Sequence, residues 1–428
     1  MNAGSSIRLS DACLPPDLGP APRLAESAGL RLESFQLAPE HIAPIAERLT
    51  QNAEALASVP ASRLLEAWSE TIDHLLDPKS PERQTLQNPL ESACGLSPQG
   101  LDAALEVMLR GVESATARRI FDQARDVPPL PSGFAFVILA SNLPALAVQT
   151  LLPALALRRP VWFKSASAEP FFTPLLIRQL ARREPILRQV FAASAWSGGH
   201  RDLEDPLIAR AARVVAYGGG EAMRDLRRRA AEKLVAQGPK LSLAILSADV
   251  DPVTVAPRLA RDIALFDQRG CLSIQAIYTD GDAHALADAM AAALKNIAQT
   301  LPAGQADASL VAQVQQLRAL ADMQALYRPP MDLRHGTVIV DERSDLEPSP
   351  GWRTVRIYPV RSLEEIPERL RPWTGRLQGA ALAGASAWPL EATLASLGFS
   401  RFSPPGELQS ADATWHNGGL SPFEALGA

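Results

Sequence analysis

The chain has 428 residues, of which 47% are hydrophobic and 21% are charged, a composition typical of a folded globular protein. This length exceeds what one ordinary hydrophobic core supports, so we expect two domains. The formal net charge of −5, without a basic stripe, argues against nucleic-acid binding.

Cysteine and histidine are sparse, which limits disulfide and metal chemistry. Cys13, Cys94 and Cys271 are far apart without a CxxC pair, and the histidines form no HExxH or HxH arrangement. The sequence therefore predicts neither a disulfide framework nor a metal site. The N-terminal stretch MNAGSSIRLSDACLPPDLGP lacks the basic start and apolar core of a signal peptide, so we expect a cytoplasmic protein.

Helical periodicity dominates from Pro39 to Ala124. The stretches ASRLLEAWSETIDHLL and LSPQGLDAALEVMLRGV repeat apolar residues at intervals of three and four. Ser97 followed by Pro98 is typical of a helix cap and first turn. We predict a helical lead-in over this range.

The uncharged segment from Gly133 to Leu157 is long enough to cross a bilayer. Its polar and proline residues favour a buried strand, a tight loop and a buried helix instead, with the membrane reading as the alternative. We expect no membrane span. These interrupting residues are Ser141, Asn142, Pro144, Gln149, Thr150 and Pro153.

Apolar strands and amphipathic helices then alternate. FAFVIL, PVWFK, VFAASAW and RVVAY resemble buried strands, and helices are predicted over Pro144 to Leu157 and Glu221 to Ala236. This alternation is typical of an α/β fold with a parallel sheet covered on both faces. Ligands bind such sheets at the carboxyl ends of the strands. The candidate loops are Ser141-Asn142, Lys164 to Ser167, and Gly218 to Gly220.

A second domain is predicted to start near Leu241, giving domains over 1–240 and 241–428. An amphipathic helix with Phe266 on its apolar face is expected to stop at Gly270 in a left-handed conformation, before the strand LSIQAIYT. Cys271 therefore lies between a helix and a strand, where a thiol can face a cleft between domains. It is either a nucleophile or a small buried apolar residue.

A helix C-terminus would raise the pKa of the Cys271 thiol, so its activation would require peptide N–H donors or neighbouring groups. The other two candidates, a triple glycine and a lysine, also have two interpretations each. The triple glycine Gly218 to Gly220 does not match GxGxxG and serves either a phosphate or a plain turn. Lys164 is either a cofactor ligand or a lysine reaching solvent.

The order of several stretches resembles the aldehyde dehydrogenase superfamily, and within it the LuxC-like acyl-CoA reductases. The resemblance extends from Leu96 to the C-terminus. It implies a Rossmann-type cofactor domain with a parallel sheet and a smaller α/β catalytic domain. The stretches that carry it are SNLPALAVQTLLPALALRRPVWFKSAS, RVVAYGGGEAMRDL, GPKLSLAIL, ALFDQRGCLSIQAIY and LASLGFSRFSPPGELQS followed by TWHNGG.

The resemblance implies roles for individual residues. Cys271 falls at the nucleophile, and Asn142 at the asparagine whose amide holds the oxyanion. Lys164 falls at a lysine that contacts the adenosine ribose. Ser167 occupies a position where NAD-preferring relatives often have a glutamate that repels a 2′-phosphate. Serine leaves NADP(H) possible, so the expected cofactor is NADPH or NADH. Two further residues, Gly218 and Gly219, fall beneath the pyrophosphate.

Departures from the superfamily pattern are equally informative. Ala236 stands where hydrolytic members carry the glutamate that activates water, so an acyl-thioester would persist for reduction. Val355 or Arg356 stands where a glutamate usually grips the nicotinamide ribose. His416 and Asn417 are candidates for proton transfer, with a plain surface histidine as the alternative.

The resemblance therefore predicts NAD(P)H-dependent reduction of an acyl-CoA, long-chain donors included, to the aldehyde through an S-acyl cysteine. It also implies coenzyme A as part of the substrate, an acyl-activating synthetase as partner, and a homo-oligomer. The alternatives are an aldehyde dehydrogenase that forms acid and a catalytically silent scaffold of the same fold.

Overall fold

The computed structural model of the chain describes residues 8–27, 30–128, 130–343 and 345–427. Part of the N-terminal stretch used for the signal-peptide prediction lies outside these ranges. A small sheet stands first, with β1 parallel to β3 and β2 antiparallel to β3. Its strands are β1 (Arg8–Ser10), β2 (Arg23–Ser27) and β3 (Leu30–Ser34).

The predicted helical lead-in is present. Ser97 caps its helix as expected, because its Oγ accepts a hydrogen bond from the Gly100 N–H at 3.0 Å and Pro98 occupies the first turn. The helices are α1 (Pro39–Gln51), α2 (Ala53–Ala57), α3 (Ala61–Leu76), α4 (Pro81–Cys94), α5 (Pro98–Arg110) and α6 (Ser114–Gln123).

A five-stranded parallel sheet follows, in the order β6-β5-β4-β7-β8. Its strands are β4 (Ala135–Ile138), β5 (Val161–Ser165), β6 (Phe191–Ala195), β7 (Arg213–Tyr217) and β8 (Leu234–Gln237). The connecting helices are α7 (Val148–Ala156), α8 (Phe172–Arg183), α9 (Leu187–Val190), α10 (Arg201–Arg210) and α11 (Gly220–Ala230).

The uncharged segment is divided as predicted. It forms β4, a loop and α7, and no helix in the described ranges is long and apolar enough to span a bilayer. Its apolar residues belong to the core instead, since Val137, Val148 and Leu151 are completely buried.

The predicted helix from Glu221 to Ala236 is wrong at its C-terminal end, after Ala230. Helix α11 ends at Ala230, Ala231 has a positive φ of 44°, and Leu234–Gln237 form strand β8. The physical reason is tertiary: β8 pairs with β7 at the edge of the sheet and buries Val235, which outweighs local helix propensity.

The second parallel sheet has the order β11-β12-β10-β9-β13-β14. Its strands are β9 (Leu241–Leu246), β10 (Ile274–Thr279), β11 (Thr337–Val340), β12 (Thr354–Pro359), β13 (Leu377–Ala383) and β14 (Arg401–Ser403). The helices are α12 (Pro252–Ala264), α13 (Ala283–Thr300), α14 (Ala308–Met323), α15 (Ile366–Leu370) and α16 (Glu391–Ser396).

Each parallel sheet has apolar clusters on both faces, which confirms the predicted α/β architecture. Strands β8 and β9 belong to different sheets and are joined only by Gly238, Pro239 and Lys240. The predicted division into domains over 1–240 and 241–428 agrees with this crossing but stays a prediction.

The predicted helix stop at Gly270 is wrong. Helix α12 already ends at Ala264, and the positive φ values fall on Phe266, Asp267 and Gln268, at 58°, 48° and 63°. Left-handed backbone at consecutive non-glycine residues is costly, so tertiary contacts must hold it. These contacts surround Cys271 and are described next.

Candidate active site

The turn before Cys271 is held by the side chain of Gln268. Its Nε2 donates to the carbonyls of Ile274 and Thr354, both at 2.7 Å, and its Oε1 accepts from the Thr354 N–H at 2.8 Å. Gln268 is buried, and hydrogen bonds in a buried site strengthen one another. Strands β10 and β12 therefore fix the path of the chain into Cys271.

The helical lead-in also fastens this turn. The Arg269 guanidinium donates to the carbonyl of Cys94 at the end of α4 and, at 2.9 Å, to the carbonyl of Gln305. The three segments are distant in sequence, so the arginine ties α4 to the backbone that precedes Cys271.

Cys271 itself lies in a cleft of about 430 Å³ between the two parallel sheets. The cleft opens at the carboxyl ends of β4, β7 and β8, where ligands of parallel sheets bind. It brings together four of the predicted site residues, Cys271, Asn142, Gly218 and Gly219. The polar side chains that line it include those of Tyr217, Gln237, Lys240, Arg269, Gln275, Gln378 and Asn417.

Asn142 faces the turn that precedes Cys271. Its Nδ2 donates a hydrogen bond to the Arg269 carbonyl at 2.9 Å. An amide has two N–H donors, so this bond orients the side chain and leaves a second donor. The placement agrees with the role that the family resemblance implies, and that role stays a prediction.

A smaller apolar pocket of about 100 Å³ is also lined by Cys271 and is continuous with the cleft, since both include Tyr217 and Gln237. It combines α5, the turn before Cys271 and the C-terminal segment. Its apolar lining fits a hydrocarbon group. Its apolar residues include Met108, Leu146, Phe266, Leu272, Trp415 and Leu420.

Burial raises the pKa of the Cys271 thiol to about 11. The backbone N–H groups of Cys271 and Leu272 and the Lys240 ammonium oppose this effect, because each stabilises the thiolate. The helix C-terminus considered from sequence is not the cause, since α12 ends well before Cys271.

Lys164 and Ser167 lie beyond the cleft, on β5 and the loop that follows it. The Lys164 ammonium is 5.5 Å from the centre of the Trp196 ring, and burial lowers its pKa. Ser167 Oγ donates to the Trp196 carbonyl at 3.0 Å. Since β5 neighbours β4, both residues share the sheet edge that forms the cleft.

The glycine loop matches a close backbone approach. Gly218 has φ 144°, which favours glycine, and a Cβ on Gly219 would lie 3.0 Å from Pro239 Cδ. Helix α11 starts at Gly220 without a side-chain cap, so its first N–H groups are free to meet an anion.

None of the described residues that line the cleft or the apolar pocket is acidic. The family resemblance aligns Ala236 with the glutamate that activates water in hydrolytic members. Ala236 lies on the opposite face of β8, where it packs against the same apolar cluster as Leu234 and Ile138. Gln237 is the residue of this strand that faces Cys271. The alternation of side chains along a strand explains the difference.

Of the remaining candidates, Asn417 alone lines the cleft. Arg356 is bound to Asp341 at 2.7 Å and Val355 is buried in the second sheet, so neither lines the cleft. Of the two C-terminal candidates, Asn417 lines both cavities, whereas His416 is exposed and lines neither.

Sequence reasoning missed Gln237, Lys240 and Gln378. Gln378 has a signal in the sequence, because it is a lone polar residue in the apolar stretch LQGAALA. A polar residue buried in such a strand needs hydrogen-bond partners, and the structure shows that Gln378 is completely buried. Gln237 directly follows the helix that was predicted to end at Ala236, and no strand was predicted there.

These two sheets and their cleft define the aldehyde dehydrogenase fold. An E. coli NADP-dependent enzyme is similar with a TM-score of 0.71 and 15% identity, over 95% of this chain and 92% of that one. A NAD-dependent benzaldehyde dehydrogenase from Corynebacterium glutamicum is similar with a TM-score of 0.69 and 17% identity, over 92% and 93%.

The chain belongs to the family described as Acyl-CoA reductase (LuxC), whose model matches residues 53–427. Long-chain acyl-protein thioester reductase 2 of Photobacterium leiognathi is 30% identical over 187 residues, 42% of this chain and 39% of that protein. The Aliivibrio fischeri long-chain acyl-protein thioester reductase is 28% identical over 157 residues, 36% and 33%. The aligned stretches span less than half of either relative. The family and fold predicted from sequence are confirmed.

Proposed function

We propose that the chain reduces an acyl thioester to an aldehyde through an S-acyl intermediate on Cys271. The observation that carries this proposal is the position of Cys271 between a cleft beside a glycine loop and an apolar pocket, with no acidic lining residue described in either. A thiol placed there has room for a nucleotide on one side and an acyl chain on the other.

The residues of the cleft fit a nicotinamide nucleotide, which supplies the hydride when bound. The free N–H groups at the start of α11 and the Gly218-Gly219 loop suit a pyrophosphate. Lys164 and Ser167 suit the adenosine ribose, and no carboxylate occupies the Ser167 position to repel a 2′-phosphate.

Acylation begins when the Cys271 thiolate attacks the thioester carbonyl. The new carbon–sulfur bond places negative charge on the carbonyl oxygen, which the free donor of Asn142 and a backbone N–H stabilise. Expulsion of the donor thiolate, which takes up a proton, leaves Cys271 S-acylated. The apolar pocket holds the acyl chain during this step.

Reduction and release regenerate the thiol. Hydride addition to the acyl carbon gives a hemithioacetal oxyanion, and its collapse breaks the carbon–sulfur bond and releases the aldehyde. Gln237 lines the cleft together with Cys271, and its carboxamide cannot deprotonate water as the glutamate of hydrolytic enzymes does. The S-acyl group is therefore expected to await hydride.

The acyl donor is proposed to be an acyl-CoA, as the family description suggests. The named relatives are acyl-protein thioester reductases, so a protein-bound acyl group is the second donor to test. An acyl-activating synthetase partner and a homo-oligomer follow from the resemblance alone and stay predictions.

Trapping of a radiolabelled acyl group tests the proposal. The chain is incubated with labelled acyl-CoA without nucleotide, and denatured protein is counted for wild type, Cys271→Ala and the buried-cysteine control Cys94→Ala. Wild type and the control should hold label that NADPH or NADH releases as aldehyde. Label on Cys271→Ala, or release as acid without nucleotide, would contradict the mechanism.

A further inference from the structure

Strand β13 carries a β-bulge opposite β9. Leu377 pairs with Leu241 and Ala380 pairs with Leu243, so Gln378 and Gly379 together form the irregularity. Bulges redirect a side chain and occur often beside active sites. This one turns Gln378 toward the cleft that contains Cys271.

The bulge is fixed to the backbone of Cys271. Ser242 Oγ donates to the Cys271 carbonyl at 2.7 Å and accepts from the Gly379 N–H at 3.0 Å. A Cβ on Gly379 would lie 2.8 Å from Leu272 Cδ2 and 3.0 Å from Ser242 Oγ, so both side chains pack closely against the bulge. The nucleophile and the bulge are therefore held as one unit.

The carboxamide of Gln378 is directed at the sulfur. Its Nε2 lies 4.0 Å from Cys271 Sγ and donates to Asn417 Oδ1 at 2.7 Å. Its Oε1 is buried and has no partner among the described residues. Leaving a buried carbonyl oxygen unpaired is unfavourable. The contacts of Nε2 with Asn417 and Cys271 must therefore offset this cost and keep the amide in its orientation.

We propose that Gln378 is a positioning residue that orients the Cys271 sulfur and donates a hydrogen bond to it, with Asn417 fixing the Gln378 amide. The proposal rests on the proposed function, in which this sulfur is the nucleophile. The contact of 4.0 Å is long in the free protein, and such contacts shorten when a substrate is bound.

A carboxamide suits this place because it donates without titrating. Among the described residues, Lys240 and Tyr217 interact electrostatically with Cys271. Arg269, two positions before Cys271, also lines the cleft, and its guanidinium donates to the carbonyls of Cys94 and Gln305. A glutamate in place of Gln378 would repel the thiolate and offer a base to water. Glutamine supports the thiolate and leaves the S-acyl group without such a base.

The test is the rate of Cys271 alkylation by iodoacetamide against pH in the full chain. Gln378→Leu should react about three- to tenfold more slowly at pH 9, the loss of one hydrogen bond to an ionised sulfur. Asn417→Ala should slow the reaction less, and should add nothing to Gln378→Leu. Gln179→Leu is the matched control, because Gln179 is also a buried glutamine whose Nε2 donates a hydrogen bond, to Glu82 Oε1 at 3.0 Å, and it lines neither the cleft nor the apolar pocket.

Two results would overturn the proposal: a Gln378→Leu profile equal to that of wild type, or an equal shift in Gln179→Leu. If Gln378→Leu does not fold, Gln378→Asn must show the same slowing, since it keeps the amide on a shorter stem. Failure of wild type to take up an acyl label would refute the proposed function and leave this alkylation result standing.

Discussion

Arg353 donates two hydrogen bonds to Asp267 Oδ1, at 3.0 Å from Nε and 2.7 Å from Nη2, with the two side chains 1% and 3% exposed. Asp267 Oδ2 also accepts from the Gly304 N–H at 2.8 Å. Asp267 is the central left-handed residue of the turn before Cys271. The ion pair therefore stabilises the strained backbone that carries the candidate nucleophile.

Breaking this pair should destabilise the whole fold. Arg353→Leu leaves the Asp267 carboxylate buried without its partner, which typically costs about 3–5 kcal/mol. Arg334→Ala, at the exposed pair with Asp332, is the control and should change the free energy of unfolding by less than about 1 kcal/mol. Urea unfolding followed by circular dichroism measures both. Equal losses in the two variants would contradict the assigned role of the buried pair.

The pH dependence of Cys271 alkylation is a second prediction. Burial raises the pKa of this thiol to about 11, so the thiolate fraction should grow roughly tenfold per pH unit from pH 7 to pH 10. The iodoacetamide rate, read from the Cys271 peptide by mass spectrometry, should follow without a plateau below pH 10. N-acetylcysteine should level off earlier. A Cys271 plateau near pH 8 would mean that the free protein already activates the thiol.

Much of the fold follows from local pattern. Strands such as Ala135–Ile138 are wholly apolar and helices such as Ala61–Leu76 are amphipathic, so the local pattern of apolar residues locates them. Strand β8 was missed because its pairing with β7 is not encoded within its own few residues. Edge pairing is a tertiary effect that a window of sequence does not contain.

The candidate site could also be predicted only where local pattern reveals a loop. Cys271, Asn142 and the glycines follow strand or helix ends, where sequence order reveals loops. Gln378 reaches the sulfur only through a bulge set by Ser242, and the turn before Cys271 depends on a bond from Gln268 to Thr354, a distant residue. Contacts of such long sequence separation leave no local signal.

Glu169 gives a third prediction, on stability against pH. Burial raises the pKa of this carboxyl to about 7, although the N–H groups of Phe171 and Phe172 donate to it. The fold therefore favours the protonated form, and the stability that this group contributes is lost as pH rises from about 4.5 to 7.

Glu169→Gln keeps an oxygen acceptor and removes the charge. It should be more stable than wild type at pH 8, by on the order of 3 kcal/mol at most, and nearly equal to it at pH 4.5. Urea midpoints at the two pH values measure this, with Glu54→Gln on exposed α2 as the control. A constant difference at both pH values would contradict the assigned titration.

Ser167 gives a fourth prediction, on the choice of nucleotide. Ser167→Glu places a carboxylate near the expected ribose site, where it should repel a 2′-phosphate and accept from ribose hydroxyls. NADPH affinity should fall by at least about tenfold, roughly 1.4 kcal/mol, while NADH affinity is kept or improved. Nucleotide fluorescence titration measures both. Equal weakening of the two nucleotides would indicate damage to the Ser167–Trp196 contact instead.

The last prediction concerns the orientation of β8. In the structure Gln237 lines the cleft with Cys271, whereas the family resemblance aligns Ala236 with the glutamate that activates water. Gln237→Glu places a carboxylate in the cleft with Cys271, and such a base accelerates hydrolysis by a factor of about 10² or more. The trapped acyl label should then leave as acid without nucleotide. Ala236→Glu directs its charge toward Leu234 and Ile138, so it should lower stability and leave the label in place. Hydrolysis by Ala236→Glu alone would show that Ala236 is the residue that faces the sulfur, and the orientation of β8 described above would then be wrong.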